Sequence, residues 1–306
     1  IDFSCYGCMM SICKVDLKMR VTMNKKSLSR LTKVRHRNDL NLTLSALPIV
    51  AKKVLFLAMS QINSKNEFDD DHIFYVSASD YVQWANVKAN AAYAALKEGA
   101  AILDSVLLKL NNEDILNLKN ELKLPFTKKN IPDSMNLSLT EFSVYYNDEG
   151  RIGIKFTNSA KRFLCNLVGV EKKYTTQVLL SVVSLSSVNA ASLYQLIRKH
   201  YSANSRLGFF DISIDELKDE LNLYSIDEDG NKEYKYPDFP IFKRDVLNKS
   251  VKEIIKLTEV KNLKFEVSGK LGRKVDRLKF SYSLDSVNLT DDEREFLDMF
   301  DKNFSS

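Results

Sequence analysis

Residues 234–258, YKYPDFPIFKRDVLNKSVKEIIKLT, place two prolines and several aromatics ahead of a helical run whose lysines share one side. At about 100° per residue, Leu247, Val251, Ile254 and Thr258 stack together, with Ser250 and Ile255 flanking them. That side is core. The opposite side carries Asp245, Lys249, Lys252 and Lys256, with Asn248 beside them, while Lys243 and Arg244 occupy the first turn. Free amides and the helix dipole favour phosphate there. Tyr236 and Phe239 precede prolines and are biased toward extended geometry, so the helix is expected to start no earlier than Pro240. Phe239 and Phe242 are expected to pack against SLYQLIRKHY, residues 192–201. A surface helix with snorkelling lysines would show the same face, so the neighbouring elements decide what it does.

Downstream, Leu263, Phe265 and Val267 alternate with polar residues and SGKLGRK (268–274) makes a turn. Val275, Leu278, Phe280 and Tyr282 then resume an extended pattern. This predicts a β-hairpin with a basic tip at Lys270, Arg273 and Lys274. Upstream, SIDELKDELNL (213–223) has Ser213 as N-cap, Glu216 three residues on, and Leu217 and Leu221 as its buried pair. Helix, connection, lysine-faced helix and basic hairpin is the layout of a winged helix, whose second helix enters the major groove while the hairpin touches flanking backbone.

The same order is read earlier in the chain. A helix near 45–62 carries Val50, Val54, Leu57 and Ala58 on one face. A strand follows at 72–76, then a helix capped near Ser77 or Ser79, then an alanine-rich helix over 88–103. The last buries Ala92, Leu96, Gly99, Ala100 and Leu103 and presents Asn90, Tyr93, Ala94, Lys97 and Ala101. Asn suits adenine, Lys suits guanine or phosphate, and Ala suits a thymine methyl, although alanine also marks close helix contacts. Strands are expected at 106–112 and 151–157, with 122–134 as a proline-bounded insertion. The second half opens with helices in TTQVLLSVVSLSS and AASLYQLIRKHYS before a strand at 208–212. The fold expected is α+β, with two tandem winged-helix domains at 38–158 and 159–285. A basic, flexible arm is expected at 1–37 and an acidic tail at 286–306.

Charge is segregated along the chain. The net formal charge is +5, but residues 19–37 hold seven cations and no acid, and 240–284 hold twelve cations against five acids. Residues 285–306 hold seven acids against Arg294 and Lys302. No apolar run approaches the roughly 18 residues of a membrane span. Cys5, Cys8, Cys13 and Cys165 fit no familiar zinc spacing, and residues 1–18, which begin at Ile1, resemble no signal peptide and are read as sequence upstream of a start at Met19 or Met23.

Catalytic chemistry finds no support. His36, His72 and His200 are isolated, and Tyr194 and Tyr201 lie a heptad apart on a core helix. Gly269-Lys270 is followed by Leu271, so no phosphate-cradling loop is present, and Asp69, Asp70 and Asp71 read as a solvated loop. Leu40, Leu47, Val54 and Gln61 recur at sevens, but Pro48 interrupts them and core packing is the better reading. The reading is a binding protein with no cofactor, no metal and no enzymatic activity.

KVRHRNDLN (33–41), SLYQLIRKHYS (192–202), DELKDEL (215–221) and EYKYPDFPIFKRDVLNKSVKEI (233–254) resemble the superfamily of iteron-binding plasmid replication initiators, over roughly 19–284. The resemblance implies a bacterial, cytoplasmic protein whose monomers bind direct repeats at a plasmid origin and whose dimers repress the initiator gene. It also implies contacts with host replication proteins such as the replicative helicase and host initiator, and a dimer contact in the first domain. The apolar loop at Pro125 and Phe126 is the expected place for that contact. A winged-helix transcriptional repressor that never initiates replication would use the same two domains.

Overall fold

The computed structural model describes Leu28 and residues 32–285, apart from 86, 111, 128–129, 133–134, 168–172 and 204–206. The expected upstream segment 1–18, the cations from Arg20 to Arg30 and the acidic tail 286–306 lie outside the described residues.

The chain opens with β1 (Lys33–Arg37), a 3-10 turn, α1 (Asn41–Ala46) and α2 (Ile49–Met59). Then come β2 (Phe74–Ser77), α3 (Ala78–Ala85), α4 (Ala89–Leu103) and α5 (Asn112–Leu118). A hairpin, β3 (Thr140–Tyr146) and β4 (Arg151–Phe156), completes the first unit, and α6 (Asn158–Lys161) follows. The second unit is reached through β5 (Tyr174–Val178), α7 (Leu179–Ser184) and α8 (Val188–Ala203). It continues with β6 (Phe209–Ser213), α9 (Ile214–Glu220), β7 (Tyr224–Ile226), β8 (Lys232–Tyr234) and α10 (Phe239–Phe242). A π-helical turn over Lys243–Leu247 leads into α11 (Asn248–Leu257), and β9 (Val260–Leu271) and β10 (Lys274–Leu284) close the chain.

The two units share one topology. In the first, β2 pairs with the second strand of the hairpin, giving the order β2-β4-β3; in the second, β6 does the same, giving β6-β10-β9. A short strand before the helix-turn-helix thus anchors the outgoing hairpin strand in both, and α3–α4 in one unit corresponds to α9–α11 in the other. These are two tandem winged helices. The turns are made by residues whose backbone can be left-handed, Gly150 at φ 59° and Gly272 at φ 62°.

Local rules account for the helix starts. Ser213 Oγ accepts from the Glu216 amide and caps α9, and Ser77 Oγ accepts from the Asp80 amide while the Asp80 carboxylate accepts from the Ser77 amide, so α3 begins on a reciprocal cap. The alanine-rich line of α4 is buried as read, at Ala92, Leu96, Gly99, Ala100 and Leu103. Small residues are required there because α2 approaches closely: a Cβ on Gly99 would meet Val54 Cγ2 at 2.6 Å.

Several expectations are corrected. The described residues of 106–112 form no strand; Leu107 makes one isolated bridge to Ser138, and α5 begins at Asn112. TTQV is strand rather than helix: β5 pairs antiparallel with β1, Lys33 opposite Val178 and Arg37 opposite Tyr174, so 33–37 is sheet and not arm. Its β-branched threonines and valine favour extended backbone, and the helical period seen in the sequence belongs only to α7. The helix α2 is buried on all sides, Lys52 and Lys53 included, because it lies between α4 and α7 rather than on a surface. Val251 is half-buried and Ile255 exposed, so the core face of α11 is Leu247, Ser250, Ile254 and Thr258. The helix also begins one residue early: Asp238 is the N-cap of α10, Phe239 is its first residue and Pro240 its second. Tyr236 is not extended but left-handed, at φ 55°.

Around α8 the two units are joined by polar contacts. Arg198 pairs with Glu259 at 3.3 Å, both fully buried, and donates from Nε to the Thr176 carbonyl; Tyr194 and Ser181 donate to the same carboxylate. Gln195 donates to the Asn41 carbonyl, and Lys52 donates to Ser192. Tyr194 and Tyr201 are core residues, as read.

Candidate nucleic-acid interface

The second reading helix is positioned from three sides. Phe242, fully buried, anchors its start; the described ring contact is with Tyr236 at 6.4 Å, and Lys218 of α9 lies 5.5 Å from its ring. Phe239 is half-buried rather than deeply packed, so of the two aromatics Phe242 carries the anchoring. Further along, Glu253 accepts from the Ser186 and Ser187 amides and the Ser186 hydroxyl, tying α11 to the segment before α8. Thr258, Glu259 and Val260 are buried where the helix turns into the hairpin.

What remains outside is cationic. Lys243, Arg244, Asn248, Lys249, Lys252 and Lys256 are all exposed, and so are Lys270, Arg273 and Lys274 at the hairpin tip. The structure therefore brings the expected contacts of the second domain onto an exposed helix and its adjoining wing. The π turn was not legible in the sequence. It is closed by the Asn248 amide donating to the Lys243 carbonyl, five residues back, and it sets the phase between the first-turn cations and the lysines of α11. A second feature not legible in the sequence was the bridge made by Asp245. Its carboxylate lies between Arg244 and Lys249, 2.7 Å from Arg244 Nη2 and 3.2 Å from Lys249 Nζ, and the Arg244 and Lys249 hydrogen bonds hold it down to about 2.

In the first domain, Asn90, Ala94, Lys97 and Ala101 are exposed on α4 opposite its buried line. Tyr93 is half-buried and donates to Asn147 Oδ1 at 3.0 Å, linking the helix to the wing turn. The Lys97 ammonium lies 5.8 Å from the Tyr93 ring and 5.7 Å from Tyr145. This wing differs from the other: its turn holds Asp148 and Glu149, both exposed, where the second holds cations. Arg151 is stacked between Tyr75 and Tyr146, at 4.5 and 4.3 Å, and paired with Glu149, so it braces the wing from within the sheet. The acidic tip is present in the sequence, but only the hairpin register shows it to be the counterpart of SGKLGRK.

Pro125 is exposed and Phe126 half-buried, with Lys119 5.8 Å from its ring, away from both reading helices in sequence and on the α5 side of the first unit. Among the described residues no group of three or more His, Cys, Asp or Glu is placed to hold a metal ion, and no helix is long and apolar enough to cross a membrane.

Comparison with known proteins agrees with the two-unit topology. Residues 33–198 match the family model described as initiator replication protein, WH1, and 213–282 match initiator Rep protein, WH2. The first range begins at β1 and runs through most of α8, so it extends past the expected boundary at 158. The chain is 44% identical over 299 residues to the PI protein of Escherichia coli, covering 94% of this chain and 96% of that one. It is similar to a crystal structure of the Pi initiator protein in complex with iteron DNA, with a TM-score of 0.77 and 43% identity, covering 85% of this chain and all of that chain. Two family models in tandem, over two copies of one topology, place the chain in the family of winged-helix plasmid replication initiator proteins.

Proposed function

We propose that the chain is a sequence-specific double-stranded DNA-binding protein that initiates plasmid replication, binding direct repeats at an origin as a monomer and repressing its own gene as a dimer. The observation that carries the DNA reading is the repeated exposed helix face. The two topologically equivalent helices α4 and α11 each bury one side in their own core and leave Asn and Lys outward, beside a hairpin. Similarity to a relative solved with iteron DNA supports direct repeats as the target.

Self-association is assigned to the first domain, at Pro125 and Phe126. Host replication proteins, a replicative helicase and a host initiator, are the further partners, and the bacterial cytoplasm is the place of action. The test is binding of the full chain to duplex DNA carrying the direct repeats beside its gene, together with maintenance of a plasmid bearing that origin. Binding with plasmid maintenance supports the initiator; binding and repression without maintenance supports the repressor alternative.

A further inference from the structure

We infer that Arg244 reads a guanine and that Asp245, adjacent to it, is a positioning residue that presets the Arg244 guanidinium for that contact; this rests on the DNA-binding reading above. The carboxylate takes Arg244 side-on: Nε donates to Oδ1 at 3.2 Å and Nη2 donates to Oδ2 at 2.7 Å. A guanidinium has five donors in a planar fork. Side-on pairing leaves the outer edge, with both Nη1 hydrogens and one on Nη2, directed away from the carboxylate, and no other Arg244 partner is found among the described residues. That edge can pair bidentately with guanine O6 and N7. The side chain is 71% exposed on an otherwise cationic face, so it is presented rather than sequestered.

A lone aspartate on a DNA-facing helix needs an explanation, because it repels phosphate. Asp245 does not neutralise the face. It bridges Arg244 and Lys249, and so exchanges one negative charge for a fixed orientation of the group that discriminates bases. Rotamer freedom is what a long arginine loses on binding, and a preset fork loses less of it. Arg244 thus discriminates, while Lys243 and Lys252 supply phosphate contacts without sequence information.

The experiment uses the full chain and a duplex pool randomised over about 25 base pairs, enough for two major grooves a turn apart. The parent is expected to enrich a site containing guanines. In that site, one G–C to A–T replacement should weaken the parent by about tenfold, within the range of a bidentate contact. Arg244→Lys keeps the charge and should bind both duplexes within about twofold of each other. Asp245→Asn should lose most of the same preference, with Asp245→Glu restoring part of it, and melting temperatures close to the parent separate orientation from folding. A carboxylate that does nothing but repel phosphate gives the opposite sign: Asp245→Asn would tighten binding to every duplex and keep the guanine preference. That result, or a guanine preference surviving in Arg244→Lys, overturns the inference. A parent that enriches no sequence at all would instead remove the DNA reading on which it rests.

Discussion

Phe242 and Lys252 sit on opposite sides of the same reading helix and separate stability from binding. Phe242 is fully buried, so Phe242→Ala should cost about 3–5 kcal/mol and lower affinity by misplacing the helix. Lys252 is exposed, so Lys252→Ala should leave the melting temperature nearly unchanged and lower the slope of log affinity against log salt by about one. Paired melting and titration curves check both, and a Phe242→Ala protein that melts like the parent would refute the anchoring role. Lys52 gives a pH test. Burial brings its ammonium down to about 7, and its one hydrogen-bond partner among the described residues is Ser192. Between about 7 and the ordinary 10.5 the unfolded chain holds a proton that the folded chain has released, so this lysine destabilises the fold at neutral pH, and the loss diminishes as pH rises. Lys52→Met should therefore melt higher than the parent at pH 7, by the equivalent of a few kcal/mol, with the gap narrowing toward pH 10. His36 acts with the same sign in a more acidic window. Burial lowers it to about 4, so it stays neutral in the fold while the unfolded chain protonates below about 6.5, and stability falls as pH drops through that window.

At the scale of elements, periodicity was a reliable guide wherever one face met solvent. The buried line of α4, the capped start of α9 and the basic hairpin were all legible, because each couples a repeat of 3.6 or 2 to a polar opposite side. It failed where burial is complete. In the β5–α7 segment burial is nearly complete, so the sequence carries no amphipathic phase and strand cannot be told from helix, whereas α2 was legible as a helix but not as one covered on all sides. The β7–β8 hairpin between α9 and α10 was not anticipated either; its turn is Asp227–Gly230, an acidic loop that reads as ordinary linker. The candidate site followed the same rule. Exposed lysines were visible as a stripe, whereas the π turn and the Arg244–Asp245–Lys249 bridge depend on backbone phase. The wings divide by charge: replacing Lys270, Arg273 and Lys274 together by alanine should reduce the salt slope by up to about three, at roughly 0.9 per phosphate lost, with little change in melting temperature. An unchanged slope would put the second wing away from DNA.

At the scale of the whole molecule, the two units differ in how they can serve. The self-contact proposed for the first domain predicts that Phe126→Ser should shift the population toward monomer, with less repression of the chain's own promoter and more repeat-bound protein. Sedimentation with an unchanged dimer fraction would place the contact elsewhere. The buried Arg198–Glu259 pair and the contacts of α8 with α1 and α11 couple the units, so their reading helices should address one continuous site rather than two independent ones. Footprinting of the full chain on one direct repeat tests this most directly. Asn90→Ala with Lys97→Ala should open protection at one end of the site, and Arg244→Ala with Lys252→Ala should open it at the other, with centres about one helical turn apart. Loss of protection over the same half-site by both pairs would contradict the tandem arrangement.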